Sequence, residues 1–149
     1  MIVRRDTKQR QLVLETVRAH RDHPTADRIY LDVREADSKI SRGTVYRNLK
    51  CLCDEHEIIQ IKVPGADRFD LRVDYHYHFI CLDCDGVFDV PCPYSRELDA
   101  AAAESTDFEI FRHRTVFEGR CAACRRRAAQ RAEEHAGSHG NEPQQNQDI

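Results

Sequence analysis

Residues 76–84 of this 149-residue chain have the sequence HYHFICLDC. The stretch places two imidazoles two positions apart and ends in a Cys-x-x-Cys pair. A second such pair, Cys121 and Cys124, follows downstream. Imidazole and thiolate are the side chains that hold transition metals best. The stretch therefore predicts a metalloprotein in which two metal sites share one structural element.

The two Cys-x-x-Cys pairs predict a structural zinc site, because four thiolates form the tetrahedral ligand set of a closed zinc centre. The pairs are separated by 36 residues, more than the ~15–20 of a simple zinc ribbon, so a helix and strands must fold between them. A redox dithiol or an iron–sulfur cluster is the alternative, and zinc is favoured because nothing else resembles a redox fold. The predicted ligands are Cys81, Cys84, Cys121 and Cys124. The other cysteines, which lack such spacing and are expected to be packing residues, are Cys51, Cys53 and Cys92.

The histidine pair predicts a second, separate metal site. On a strand, His76 and His78 point to the same face, whereas Cys81 has the opposite parity. Further ligands must come from elsewhere in the chain. The candidates are His23 at a helix break, Asp70 and Asp89. Three imidazoles and two carboxylates suit Fe(II) or Mn(II), although Zn(II) also binds such a set. Taken alone, His23 and Asp70 are more often solvated residues than ligands.

The N-terminal half predicts a winged helix-turn-helix. Apolar residues at helical spacing indicate a helix over 8–20, a second that Thr25 caps and a third that Ser41 caps. Two strand-like runs, 58–63 and 68–72, then flank a Pro-Gly turn. The alternative is a generic small helical lobe. The outward face of the third helix carries the side chains expected to contact DNA phosphates or bases. These are Arg42, Thr44, Tyr46, Arg47 and Lys50.

The C-terminal half predicts a small α/β domain, so the fold class is α+β. The predicted elements are two strands within 76–90, a helix over 94–104, strands over 107–111 and 114–120, and a helix over 125–135. We expect a DNA-binding domain at 1–73 with its wing at 58–72, a dimerisation and metal-binding domain at 74–136, and a disordered polar tail at 137–149.

The distribution of charge and the lack of long apolar runs indicate which partners the protein has. The formal net charge is −3, but residues 1–62 carry 13 Lys and Arg against 10 Asp and Glu. This excess of positive charge is consistent with an N-terminal part that binds an anionic partner. The chain has no apolar run near the ~18 residues of a membrane span and no signal-peptide pattern. We therefore expect a cytoplasmic protein with no membrane partner.

These residues resemble the ferric uptake regulator family of metal-responsive bacterial repressors, over residues 7 to about 127. The motifs that carry the resemblance are Thr7-Lys8-Gln9-Arg10, His23-Pro24-Thr25-Ala26, Ser41-Arg42-Gly43-Thr44-Val45-Tyr46-Arg47-Asn48-Leu49, Arg68-Phe69-Asp70, His76-Tyr77-His78 and both cysteine pairs. Lys8 stands where the family usually has proline, which matters little at a helix start.

The resemblance implies a homodimer that binds double-stranded operator DNA, holds zinc on the four cysteines and binds a regulatory Fe(II) or Mn(II). The implied regulatory ligands are His23, Asp70, His76, His78 and Asp89. A further metal site of some relatives aligns with His113, with Glu97 as a less certain partner.

The subtype rests on single residues. Iron-sensing branches usually place Glu at the position of Asp89, and zinc-sensing relatives bring a cysteine near the position of Asp70. The pattern therefore resembles the peroxide-responsive branch, in which oxidation of His23 or His76 would release the DNA. A regulator of iron or manganese supply is the alternative. A metallohydrolase is a distant one, because a catalytic metal needs an open position and a general base, and five ligands leave little room. We expect no enzymatic activity.

Overall fold

The computed structural model describes residues 7–137 as five helices and five strands. The elements are α1 Lys8–Ala19, α2 Ala26–Ala36, α3 Arg42–Asp54, β1 Ile59–Ile61, β2 Arg68–Asp70, β3 Tyr77–Cys81, β4 Val87–Val90, α4 Arg96–Glu104, β5 Val116–Gly119 and α5 Ala122–Gly137. Within this range, no helix has the length and apolar character needed to cross a membrane. Gly137 ends α5, and the rest of the expected tail lies outside the described residues.

The first three helices form around one apolar core, and their starts are those that the sequence predicted. Thr25 and Ser41 each accept a hydrogen bond on the side-chain oxygen from a backbone N–H of the first turn. Each bond satisfies a donor that has no partner inside the helix. The side chains that meet in this core include Val13, Val17, Ile29, Val33, Val45, Leu49, Leu52 and Ile58.

The predicted wing is a short antiparallel hairpin of β1 and β2, with Ile59 opposite Asp70. Gly65 lies in its turn at φ 89°, where a residue with a Cβ would be strained. Ile61 of the wing packs on Ile80 and Val87, so the wing contributes to a second core. Through this contact the hairpin packs against the second sheet.

The second sheet has the strand order β4-β3-β5, with β4 antiparallel and β5 parallel to β3. The helix α4, capped by Ser95, lies on the crossover that a parallel neighbour requires. Side chains alternate across β3: Ile80 meets the wing core, whereas Cys81 lies beside the second cysteine pair. The mixed helix-and-sheet fold class is therefore confirmed.

One predicted strand is absent from the described chain. Residues 108–115 have no regular secondary structure, and only Val116–Gly119 of the later predicted strand pairs with β3. The alternation of polar and apolar residues indicated a strand over 107–111, but a strand needs a hydrogen-bonded neighbour, and residues 7–137 supply none there. The apolar side chains of this segment stay exposed, at 69% for Phe108 and 78% for Phe111.

The substitution Leu52→Ala tests the helical core. Leu52 is fully buried, so its truncation leaves a cavity and should lower the free energy of unfolding by ~2–5 kcal/mol. Urea denaturation followed by circular dichroism measures the change. The matched control is Leu31→Ala, since Leu31 is 55% exposed. Equal losses in the two variants would contradict the placement of Leu52.

Candidate metal centres

The five predicted regulatory residues converge at the seam between the helical core and the second sheet. His23 lies between α1 and α2, Asp70 ends β2, His76 precedes β3, His78 lies in β3 and Asp89 in β4. Ligand atoms of His23, Asp70, His78 and Asp89 all lie within 4.8 Å of one another. His76 Nε2 lies 3.1 Å from Asp70 Oδ2 and 3.3 Å from Asp89 Oδ1. The structure thus brings together residues that are up to 66 positions apart in sequence.

His23 is held in an unusual backbone conformation that directs its ring to this site. Its φ of 52° is in the left-handed region, which few residues other than glycine adopt, and Pro24 follows it. Its Nδ1 lies 3.1 Å from the carbonyl oxygen of Val87 in β4. An Nδ1–H donated to that carbonyl fixes the tautomer and leaves Nε2, 2.9 Å from Asp89, as the ligand atom.

The other two imidazoles also point their Nε2 atoms at the two carboxylates. His76 Nδ1 lies 2.7 Å from the Asp74 carbonyl oxygen, so it too can donate there and leave Nε2 for a ligand. His78 Nε2 is buried and has no hydrogen-bond partner within residues 7–137. A buried polar nitrogen without a partner is costly. A cation among these five side chains would give His78 Nε2 that partner, so the residues fit a bound metal.

The electrostatics of the site also favour a cation. Burial alone would raise the pKa of Asp70, but the imidazoles of His23 and His78 beside it outweigh that effect and hold the pKa well below its usual range. Burial alone would lower the pKa of His23, but hydrogen bonding and the charges of Asp70 and Asp89 raise it overall. The Asp70 carboxylate therefore carries negative charge and attracts positive charge, which either protonated imidazoles or a metal ion supplies.

The four predicted zinc ligands form a second cluster about the turn after β3. Their sulfur atoms all lie within 4.8 Å of one another, and Cys84 Sγ is 4.0 Å from Cys121 Sγ. That separation is about twice an S–S bond length. It is close to the ~3.8 Å between sulfurs that sit 2.3 Å from one zinc ion. The described residues therefore contain the predicted four-cysteine zinc site. Cys51, Cys53 and Cys92 lie outside it.

Backbone and side-chain donors of the chain surround the thiol cluster. The N–H of Cys121 donates to Cys81 Sγ at 3.3 Å, and this bond is the largest cause that lowers the pKa of Cys81 to about 6. Arg127 Nη2 lies 2.8 Å from Cys124 Sγ and acts to lower the pKa of Cys124, but burial and the other three sulfurs raise it to about 12. Thiolates this close together repel one another, so a cation among the four sulfurs would stabilise the ionised form that binds zinc.

Arg68 links the zinc turn to the regulatory site. Its Nη2 donates to the carbonyl oxygen of Asp85 at 2.8 Å, and its Nη1 lies 3.4 Å from the carbonyl oxygen of His23. No local pattern in the sequence predicts this contact, because a side chain on the wing reaches main-chain atoms of two distant turns. The same holds for the Val87 carbonyl that orients His23.

His113 and Glu97 do not form a metal cluster among the described residues. His113 Nδ1 pairs with Asp99 at 2.7 Å and its Nε2 with the Tyr77 hydroxyl at 2.9 Å. Glu97 instead accepts a hydrogen bond from Ser95 at the start of α4. Both ring nitrogens of His113 thus have protein partners. Asp99, two positions after Glu97 on α4, is the acidic residue that faces His113. The further metal site at His113 and Glu97 stays a prediction.

The third helix presents the predicted DNA-contacting residues on one exposed side. Tyr46 is 46% exposed, and the side chains of Arg42 and Lys50 are 54% and 76% exposed. Lys50 pairs with Asp54 one turn later, and Arg47 donates to the Thr44 hydroxyl at 3.2 Å. The apolar face of the same helix, with Val45, lies in the core.

Comparison with known proteins gives one consistent result. The sequence profile of the ferric uptake regulator family matches residues 3–118. The peroxide-responsive repressor PerR of Staphylococcus aureus is 34% identical over 121 residues, which are 80% of this chain and 82% of that protein. The ferric uptake regulator of Helicobacter pylori, whose structure was described as having three functional metal sites, superposes with a TM-score of 0.70 at 22% identity over 81% of this chain and 82% of that one. The Campylobacter jejuni peroxide stress regulator superposes with a TM-score of 0.64 at 24% identity, over 78% of this chain and 88% of that one.

The substitution Cys84→Ser tests the zinc site. Removing one thiolate opens the tetrahedral set, so the purified variant should carry much less zinc than the unaltered chain, which should hold one ion per chain. Structural zinc contributes ~10–16 kcal/mol in small zinc domains. Losing about 3 kcal/mol of it would lower Tm by about 10 °C in a chain of this length. Elemental analysis and thermal melting with and without a chelator measure both effects.

The control for this test is Cys92→Ser, an exposed cysteine outside the cluster. It should keep its zinc and its Tm. A Cys84→Ser protein with full zinc content would show that the four sulfurs do not form the site.

Proposed function

Because this chain belongs to the ferric uptake regulator family, whose members are transcription regulators, we propose that it is a metal-dependent DNA-binding repressor that acts as a homodimer. One observation carries the proposal: five metal-ligand side chains meet at a seam to which the helical part and the second sheet both contribute. A metal bound there joins the two parts of the chain.

The seam explains how a metal would control DNA binding. His23 and Asp70 come from the helices and the wing, whereas His76, His78 and Asp89 come from the second sheet. We place the domain boundary at residues 73 and 74, between these two groups. A metal held by all five fixes one angle between the domains. In a dimer that angle sets the spacing of two recognition helices, which must match DNA half-sites ~34 Å apart or a multiple. Converting the mostly open protein to mostly closed needs about 5 kcal/mol of differential binding.

The donor set favours Fe(II) or Mn(II) as the regulatory metal. Imidazole nitrogens and carboxylate oxygens suit these ions, whereas the four thiolates take zinc. Fe(II), when bound, would supply the chemistry that cleaves the O–O bond of peroxide beside the ligands, and it would not be consumed. Overall, one peroxide oxygen would enter a C–H bond of the His23 or His76 ring as a hydroxyl group. The other oxygen would leave as water with the displaced hydrogen, so the ring supplies both electrons that peroxide takes up. The oxidised ring is a poorer ligand, so the domains separate and the DNA is released.

Peroxide has a route to this site. A cavity of about 390 Å³ at the seam is lined by His23, Asp70 and Asp89, together with Arg21 and Arg72. The Asp89 side chain is 37% exposed, and so marks the accessible side of an otherwise buried ligand set. Peroxide sensing is also consistent with Asp rather than Glu at this position and with the similarity to the staphylococcal PerR.

DNA contact is assigned to the exposed side of α3. Arg42, Arg47 and Lys50 would contact phosphates or guanine edges, and Thr44 and Tyr46 would reach bases or thymine methyl groups. Three of the five carry positive charge, which supplies the salt-dependent attraction to the phosphate backbone.

The dimer contact is assigned to residues 108–115, which have no regular secondary structure. Phe108 and Phe111 are exposed there on a stretch that lacks a strand partner within the described chain. The same segment of a second copy would supply both the partner strand and the apolar cover.

The substitution Phe111→Asp should therefore yield a monomer, because a buried carboxylate has no partner in such an interface. Analytical ultracentrifugation would report a species near the 17.3 kDa chain mass instead of twice that mass. The control Leu31→Asp places the same charge at an exposed apolar position of α2 and should remain dimeric. A dimeric Phe111→Asp protein would contradict this interface.

The repressor function is tested with duplex DNA selected by the metal-loaded protein from a random pool. Fluorescence anisotropy should show binding with Fe(II) or Mn(II) and little without them. Peroxide should reduce the affinity of the Fe(II) form ~100-fold, the upper range of allosteric coupling, and spare the Mn(II) form. Mass spectrometry should find one added oxygen on a peptide with His23 or His76.

Two variants accompany this measurement. His78→Ala removes a ligand and should abolish metal-dependent binding, whereas His135→Ala on α5 should not. If the Fe(II) form keeps its affinity and its mass after peroxide, the protein is a regulator of metal supply instead. If binding does not depend on metal at all, the proposed mechanism is wrong.

A further inference from the structure

The two DNA-facing side chains at the start of α3 share one carboxylate on the neighbouring helix. Tyr46 donates its hydroxyl proton to Asp27 Oδ1 at 2.9 Å, and Arg42 Nη1 donates to the same oxygen. Asp27 lies in the first turn of α2. The contact therefore joins the second helix of the helix-turn-helix to the face that reads DNA.

Arg42 has a second fixed contact on α2. Its guanidinium carbon lies 4.7 Å from the centre of the Tyr30 ring. A guanidinium above an aromatic face is attracted by the ring and restricted in its rotation. Asp27 at one edge and Tyr30 at one face thus hold the Arg42 head group, while several of its five N–H donors stay available.

This arrangement contributes little to stability. The side chains of Arg42 and Asp27 are 54% and 61% exposed, and ion pairs so exposed contribute only ~0–1 kcal/mol. A carboxylate on a DNA-facing surface also repels phosphates. The position of the Asp27 carboxylate is therefore better explained by its effect on the orientation and charge of Arg42 and Tyr46 than by a contribution to folding.

We propose that Asp27 is a positioning residue for DNA sequence specificity, which holds Arg42 and Tyr46 in the orientation that contacts base edges. The inference rests on the proposed DNA-binding function. Asp27 does so in two ways. It restricts the rotamers of Arg42 before DNA binds, so less conformational entropy is lost on binding. It also partly neutralises the charge of Arg42, so this arginine adds less to the sequence-independent attraction to phosphates.

The test is Asp27→Asn in the full-length, Mn(II)-loaded protein. Two duplexes are compared: one selected by the unaltered protein from a random pool and a scrambled duplex of the same composition. The ratio of the two affinities should fall about tenfold, part of the ~1–3 kcal/mol discrimination of a well-placed base contact. The scrambled duplex should bind more tightly, and its salt dependence should steepen by about 0.9, as expected for one more phosphate contact.

The matched control is Glu35→Gln, which makes the same change of charge on the same helix. Glu35 is exposed and is not paired with any residue in the described range. It should leave the specificity ratio and the salt dependence unchanged. A thermal melt shows whether both variants fold as well as the unaltered chain.

A double-substitution cycle identifies the route of the effect. In an Arg42→Gln background, Asp27→Asn should not change the salt dependence further. The guanidinium that the substitution would free for phosphate contact is absent from this background. If Asp27→Asn alters both duplexes by the same factor, as Glu35→Gln would, Asp27 has no positioning role. If the unaltered protein enriches no sequence from the pool, the proposed function itself fails, and the two failures are thus distinguishable.

Discussion

The structure depends on two carboxylates that three imidazoles surround at the seam. Asp70 ends β2 and Asp89 lies in the second sheet, and each interacts with His23, His76 and His78. Two carboxylates brought this close together need positive charge beside them. The angle between the helical part and the sheet is therefore coupled to whatever cation occupies the site, which is the physical basis for a metal switch.

The strand β3 serves both metal clusters because side chains alternate along it. His78 faces the seam, and Cys81 faces the second cysteine pair on the other side. One strand thus contributes residues both to the four-cysteine zinc site and to the proposed regulatory site. Arg68 adds a direct link, since it contacts the carbonyl oxygens of Asp85, next to Cys84, and of His23.

Sequence reasoning succeeded where one local pattern determines one structure. Helical spacing with Thr25 and Ser41 as caps located the starts of α2 and α3, and paired Cys-x-x-Cys motifs identified the thiol cluster. The sequence was less informative where a local pattern is compatible with more than one structure. The strand at 107–111 lacks a neighbour within the described chain, so its exposed aromatic residues now point to a dimer contact. The acidic residue of α4 that pairs with His113 is Asp99, whereas Glu97 accepts a hydrogen bond from Ser95. The rotation of α4 about its axis determines which of its side chains faces His113, and residue spacing alone does not specify that rotation.

The sequence by itself determined the types of ligand, the two kinds of metal site and the family, because donor atoms and short motifs are local properties. Only the tertiary structure decided that His23 and Asp70 reach the imidazoles of the sheet, since these contacts join residues far apart in the chain. The same is true of two contacts that orient side chains: the Val87 carbonyl beside His23, and the Asp27 carboxylate beside Arg42 and Tyr46. Such contacts arise from how helices and sheet pack together, and packing is a property of the whole chain.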